Sequence, residues 1–322
     1  MGVGGKKVTP GMRVVVWLEW PERCFRVNAR QLKYLGGLLP KTATLVRVQS
    51  ERAFLRELKE ATHALVWNFR PEWFALAPKL QVLATPAAGR ELVPTEAPLG
   101  VRVHFGGFHG EIIAETVLGF VLAWAHGFFA RCAASSAWPR AELAGQVRTV
   151  KGTRAVILGY GRIGRAIGAK LSEQGVEVVG ISRHGPDTLA TRGEVLRTCD
   201  WLVLALPSDT GTDDLVDARL IAKLPRRCVL VNVGRGNAVD EQALVGALAK
   251  GRLAGAYLDV CKREPTALRE VAGGLNAPSG SALASRGLGQ LPPSLVVMPH
   301  SSAFAPDYLE RCFKELKDEG YF

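Results

Sequence analysis

A six-residue turn, Gly159-Tyr160-Gly161-Arg162-Ile163-Gly164, constrains this chain more than any other feature. It follows an apolar run, Ala155 to Leu158, and opens a helical pattern from Arg162 to Gln174 that leads into a second apolar run, Val176 to Ile181. Gly-x-Gly-x-x-Gly alone is a weak signal. Placed between the strand and the helix of a βαβ unit, it points to a dinucleotide pyrophosphate. Gly159 permits the tight turn, Gly161 lets the pyrophosphate approach the backbone, and Gly164 lets helix and strand pack closely. Arg162 and Ile163 start the helix, whose free N–H groups and positive dipole end attract phosphate.

The same punctuation runs through the whole chain of 322 residues, a length that suggests about two domains. In the first half Arg13 to Trp17, Thr44 to Val48, Ala64 to Trp67 and Gln81 to Ala84 read as strands, with helices at Glu51 to Ala61 and Pro71 to Ala77. A long apolar helix is expected from Gly110 to Arg131. In the second half strands are expected at Trp201 to Leu206, Cys228 to Asn232, Ala254 to Leu258 and Leu295 to Met298, with helices at Glu241 to Lys250 and Asp307 to Glu319. Strands alternating with helices imply parallel sheets. Gly273 to Gln290, nearly all Gly, Ala, Ser and Leu, reads as a mobile loop.

Composition excludes several classes. Hydrophobic residues make up 48% and charged residues 22%, the balance of a folded globular chain. Cys24, Cys132, Cys199, Cys228, Cys261 and Cys312 are scattered without a Cys-x-x-Cys, so neither a metal site nor a disulfide framework is expected. Free thiols and an N-terminus without an apolar core give the expectation of a cytoplasmic protein. The stretch from Ile112 to Ala130 contains Glu115 and His126, which favours a buried helix over a membrane span. The net charge of +11 attracts anions, yet the positive residues form no tail or run. A small anionic substrate with a phosphate-bearing cofactor accounts for the sign as well as nucleic acid would, and no nucleic acid partner is expected.

The end of the strand after the glycine turn bears on which dinucleotide binds. An NAD site places an acidic residue there to hold the ribose 2′-OH. Here the residues are Ser182, Arg183 and His184. Without the acid there is no repulsion of a 2′-phosphate, and Arg183 can supply a charge-assisted contact to it. NADP(H) is therefore expected over NAD(H), which stays possible; the alternative for Arg183 is a solvated loop residue.

Three later strands are each followed by polar residues: Arg235 after Val229 to Asn232, Glu264 after Ala256 to Asp259, and His300 after Leu295 to Met298. Ligands of open α/β sheets bind outside the carboxyl ends of the strands. An Arg fork binds a carboxylate, a His exchanges a proton near neutral pH, and a carboxylate beside a His favours its charged form. The set suits interconversion of a 2-oxo acid and a 2-hydroxy acid.

The glycine turn, Asn232-Val233-Gly234-Arg235-Gly236, Val239-Asp240-Glu241, Gly255 to Val260, Glu264-Pro265 and Pro299-His300 occur in this order. Together they resemble the D-isomer-specific 2-hydroxyacid dehydrogenase family, most of all its NADPH-dependent glyoxylate/hydroxypyruvate reductases because of Ser182-Arg183. The resemblance is strong from about 150 to 303 and weaker before. It implies two Rossmann-like α/β domains with a cleft between them. A flavodoxin-like substrate domain would comprise residues 1–113 and 304–322, and an NAD(P)-binding Rossmann domain residues 114–303. It implies that Arg235 holds the substrate carboxylate and carbonyl, that His300 protonates the carbonyl oxygen, and that Glu264 orients His300 and keeps it protonated. By the same resemblance Asp259 would contact the nicotinamide carboxamide, Pro207 would line the adenosine side, and the Val233 backbone would face the nicotinamide. Ala88 and Gly89 would offer N–H groups to the substrate carboxylate, and the long apolar helix would pack across a homodimer interface.

Two departures stand out. The substrate loop has Ala87 where the family usually has Gly, and continues with Arg90-Glu91. Arg90 either adds charge beside the substrate or faces solvent, and Arg70 is a weaker candidate. A second functional class remains open: a dinucleotide-sensing, corepressor-like binding protein of the same fold.

Overall fold

The computed structural model describes residues 11–129, 144–145, 147–183, 186–264 and 294–322, without the side chains of 191 and 192. His184, the Gly273 to Gln290 segment and the end of the long expected helix lie outside the described residues. The chain divides into two compact units, Met1–His109 with Phe304–Phe322, and Gly110–Ala303.

The first unit is built on five parallel strands: β1 (Arg13–Trp17), β2 (Thr44–Arg47), β3 (His63–Val66), β4 (Val82–Thr85) and β5 (Arg102–Phe105). Their order, β2-β1-β3-β4-β5, is the flavodoxin-like one. Val14, Val15 and Val16 are fully buried, as continuous apolar strands covered on both faces must be. Helix α1 (Ala29–Leu38) starts at Asn28, whose side chain accepts from Gln31 N while Gln31 caps back. Helix α2 (Glu51–Leu58) starts at Ser50, which accepts from Ala53 N. Both α1 and β5 were missed by the sequence reading. Two adjacent glycines hide α1, and Arg102–Phe105 is too short to declare itself.

Helix α3 (His109–Ala125) leads into the second unit, so the division falls between His109 and Gly110 rather than at 113/114. The reason is packing: Ile113, Ala114, Val117 and Val121 are buried in the core of the second unit. Much of the apolar surface that suggested a dimer interface is thus spent inside the chain. Among the described residues no helix is long and apolar enough to cross a membrane.

The second unit has six parallel strands: β6 (Arg154–Leu158), β7 (Glu177–Ile181), β8 (Trp201–Leu204), β9 (Val229–Asn232), β10 (Gly255–Leu258) and β11 (Leu295–Val297). Helix α4 (Arg162–Glu173) joins β6 to β7, and α5 (Glu241–Ala249) lies between β9 and β10. The order is β11-β10-β9-β8-β6-β7. Successive strand residues alternate between faces. Val156, Leu158, Leu202, Leu204, Leu230 and Leu258 join one core layer, while Ala155, Ile157, Val203, Val229, Val231 and Tyr257 join the other with α3. The chain returns from β11 to the first unit through helix α6 (Tyr308–Asp318). There Glu310 accepts from Gln31 Nε2 of α1 (3.0 Å), and Glu315 accepts from Gly107 N (2.9 Å).

Candidate active site

Strand order positions the site. β7 and β8 flank β6 on opposite sides, so connections leaving β6 diverge there, which is the switch point where α/β sheets open a ligand crevice. Gly159 sits at that point with φ +92°, a left-handed conformation that costs an L-residue about 1–2 kcal/mol. Gly159 N donates to Ile181 O at the end of β7 (2.9 Å). A Cβ on Gly159 would lie 2.5 Å from Ala205 O, and one on Gly164 would lie 2.2 Å from Gly159 O. Turn and helix are therefore pressed together, as the motif requires. Gly161 is the N-cap of α4, makes no side-chain cap, and has nothing within 4 Å of its Cβ position. Open space before the uncapped first turn of a twelve-residue helix, where Arg162 and Ile163 begin, fits a pyrophosphate.

Ser182 and Arg183 follow β7, and Ser182 N donates to Asp187 O (2.8 Å). The half-exposed Arg183 guanidinium forms an ion pair with Asp209, on the loop after β8. Pro207, on the same loop, is exposed, and its carbonyl accepts from Thr212 Oγ1 (2.9 Å). Val233 is buried after β9, with its N–H on Leu204 O (3.0 Å).

The remaining candidates come from three neighbouring strands, β9, β10 and β11, whose carboxyl ends lie side by side about 4.8 Å apart. After β9, fully buried Asn232 folds the turn: its Oδ1 accepts from Gly234 N (3.1 Å) and its Nδ2 donates to Arg235 O (3.1 Å). Arg235 is half-buried, with Nη1 on Gly234 O (3.0 Å). Next to it, a Cβ on Gly236 would lie about 2.0 Å from the carbonyl carbon of Cys261. Only glycine lets the Arg235 turn lie against the segment that leads to Glu264.

Glu264 bridges two partners. Its Oε1 accepts from Cys261 N (3.1 Å) and its Oε2 lies 3.0 Å from His300 Nδ1. Both side chains are about half exposed, 42% and 50%. His300 has φ +53°, unusual for a residue other than glycine. Asp259 holds it there. Its carbonyl accepts from His300 N (2.8 Å), and its buried carboxylate accepts from Ser301 N (2.9 Å), Ser302 N (3.1 Å) and Ser302 Oγ. Sequence reasoning assigned Asp259 to the nicotinamide and missed this clamp. Gly236 and Asp209 were also missed. A glycine immediately after Arg235 was the available signal for the first, and nothing local marked the second.

In the first unit, the turn after β4 places Ala87 N on Thr85 Oγ1 (3.2 Å), followed by exposed Ala88 and half-buried Gly89. Arg90 lies over the Phe105 ring (5.5 Å). Arg70 is engaged by Glu51 (3.3 Å) and by the Trp73 ring (5.1 Å).

Comparison with known proteins agrees with this architecture. Residues 118–285 match the family model for the D-isomer specific 2-hydroxyacid dehydrogenase, NAD binding domain. A putative 2-hydroxyacid dehydrogenase of Haemophilus influenzae is 30% identical over 212 residues, 61% of this chain and 67% of that one. A glyoxylate/hydroxypyruvate reductase A of Arabidopsis thaliana is 34% identical over 171 residues, 51% of this chain and 54% of that one. The crystal structure of the NADPH-dependent glyoxylate/hydroxypyruvate reductase of Sinorhizobium meliloti, in complex with NADP and sulfate, superimposes with a TM-score of 0.69 at 24% identity, covering 96% of this chain and 95% of that one. With a dinucleotide cradle at the switch point and a family model matched over half its length, the chain belongs to the D-isomer specific 2-hydroxyacid dehydrogenase family.

Proposed function

We propose that this oxidoreductase reduces a small 2-oxo acid, of the glyoxylate or hydroxypyruvate class, with NADP(H) preferred over NAD(H). The observation that carries the reading is the Glu264–His300 pair, held 3.0 Å apart at the carboxyl ends of adjacent strands beside the Arg235 turn. A dinucleotide held by the glycine turn would supply a hydride for the carbonyl carbon of the 2-oxo acid. Arg235 offers its guanidinium to the substrate carboxylate and polarises the neighbouring carbonyl. With Nδ1 donating to Glu264, His300 gives the proton from Nε2 to the carbonyl oxygen, and the product is the 2-hydroxy acid. In the reverse direction His300 takes that proton back. Glu264, 3.0 Å from Nδ1, fixes the ring orientation.

The dinucleotide is assigned to Gly159, Gly161, Arg162, Ile163 and Gly164 for the pyrophosphate, with Pro207 and Val233 along its length. Ser182, Arg183 and His184 are assigned to the 2′-phosphate. Ala88 and Gly89 are assigned to the substrate carboxylate. The substrate class follows the Arabidopsis relative, named as a glyoxylate/hydroxypyruvate reductase. The same reading takes the enzyme to work in the cytoplasm as a homodimer.

The test is turnover of glyoxylate, hydroxypyruvate and pyruvate, each with NADPH and with NADH. NADPH turnover well above NADH is the expected result. His300→Ala should lower kcat by orders of magnitude while dinucleotide affinity is kept; unchanged turnover would refute the mechanism. Dinucleotide binding without turnover of any 2-oxo acid would favour the sensing, corepressor-like class.

A further inference from the structure

We propose that Asp209 is a specificity-determining residue: as the counter-ion of Arg183 it opposes a cofactor 2′-phosphate and offers an acceptor to a 2′-OH. This rests on the dinucleotide reading above. It goes further by naming a residue, remote in sequence from the strand end where cofactor choice is ordinarily read, that moderates the choice.

Topology brings the two residues together. Arg183 leaves the end of β7 and Asp209 leaves the end of β8, the strands on either side of β6 and its glycine turn. Asp209 does not reach Arg183 as a loose surface side chain. Its Oδ1 accepts from Gly211 N (2.9 Å), and its carbonyl accepts from Thr212 N (2.9 Å). Buried Thr212 ties the turn down further, donating from Oγ1 to Pro207 O (2.9 Å) and accepting from Asn237 Nδ2 (3.1 Å). The other carboxylate oxygen, Oδ2, faces the Arg183 guanidinium. A Cβ on Gly211 would lie 4.0 Å from Arg183 Cζ, so the turn runs alongside that side chain without crowding it. Arg183 holds the Asp209 carboxyl below its usual range.

An exposed ion pair of this kind contributes little to stability, so its consequence is local. A 2′-phosphate reaching Arg183 meets a carboxylate already on that guanidinium and held by a hydrogen-bonded turn. The two anions repel, and they share one set of donors. A 2′-OH has no such conflict, because it can donate to the Asp209 carboxylate. The acid missing at Ser182 is in this sense supplied from the β8 loop. NADP(H) selectivity is then smaller than Arg183 alone would give.

The experiment uses the full chain, with Kd for NADP⁺ and NAD⁺ measured by titration calorimetry without substrate. The proteins are wild type, D209N, R183Q and the double variant. D209N keeps the shape of the side chain and its acceptor for Gly211 N. The expected result is that D209N tightens NADP⁺ about tenfold and weakens NAD⁺ by a smaller factor, the size of one removed charge beside a phosphate dianion in high dielectric. In the R183Q background the competition for the guanidinium is gone and only the direct repulsion is left, so the same change should move the NADP⁺ to NAD⁺ affinity ratio in the same direction by a smaller factor. An NADP⁺ to NAD⁺ affinity ratio unchanged or lowered in D209N overturns the proposal. Failure of the wild type to bind either dinucleotide overturns the dinucleotide reading together with it. A wild type that prefers NAD⁺ refutes the NADP(H) preference alone, and the D209N shift still decides the role of Asp209.

Discussion

Replacing Asp259 by Asn tests whether one buried carboxylate sets the geometry of the His300 turn. Three donors converge on it: Ser301 N (2.9 Å), Ser302 N (3.1 Å) and Ser302 Oγ. Hydrogen bonds to a charged group contribute about 1.5–3 kcal/mol each, and a buried donor left without an acceptor costs about 1–3 kcal/mol. Asn keeps one acceptor oxygen and turns an NH₂ towards donors. Ser302 Oγ can rotate away, but the backbone N–H groups cannot. One lost backbone partner and the lost charge on the others amount to about 3–5 kcal/mol. The His300 backbone, at φ +53°, stores about 1–2 kcal/mol that the clamp overcomes in the wild type, and a loosened turn would recover part of it. A unit of roughly 150–250 residues loses about 2–4 °C of Tm per kcal/mol, so D259N should melt about 6–20 °C below wild type. S302A, which removes only the hydroxyl, should cost about 1.5–3 kcal/mol. Calorimetric melting of the three proteins measures this, and kcat in D259N should fall with the loosening of His300. A D259N protein within 2 °C of wild type, with unchanged turnover, would refute the clamp.

Other outcomes follow from single sites. Gly164→Ala should open the glycine turn, because its Cβ would meet Gly159 O at 2.2 Å; dinucleotide Kd should rise at least tenfold together with a drop in Tm. Burial, above all, pushes the Cys261 thiol up to about 12, so near pH 8 only about one molecule in ten thousand carries the thiolate; peptide mapping should find Cys261 unalkylated by iodoacetamide in the native protein and alkylated after unfolding. Burial lowers the pKa of His63 below its ordinary 6.5, against the pull of its hydrogen bond to Tyr321 O. Between the folded and unfolded values the unfolded chain binds more protons, so stability falls as pH drops through that window. Wild type should lose more stability than H63Q between about pH 7 and 5, and equal losses in denaturant titrations would refute the assignment.

Much of the architecture was legible from local pattern. The glycine turn, β1 and the strand interiors of the second unit stand where apolar runs and turn residues put them. Local propensity failed at α1, whose stability comes from the Asn28–Gln31 cap and from packing with α6, almost three hundred residues away. The helix expected over 71–77 is present as Pro71–Leu76, but as a 3₁₀ helix opened by Pro71.

For the site, the identities of Arg235, Glu264 and His300 were visible as polar residues after apolar strands. That Glu264 and His300 meet follows from β10 and β11 being adjacent, a long-range pairing. The Asp259 clamp spans 43 residues and the Arg183–Asp209 pair 26. The sequence by itself determined most of the elements, the glycine turn and the candidate residue types, because each depends on neighbours within a few positions. Strand order alone decided which loops face each other, and with it which carboxylate holds His300 and which opposes Arg183, because parallel strands are paired by chain segments distant in sequence.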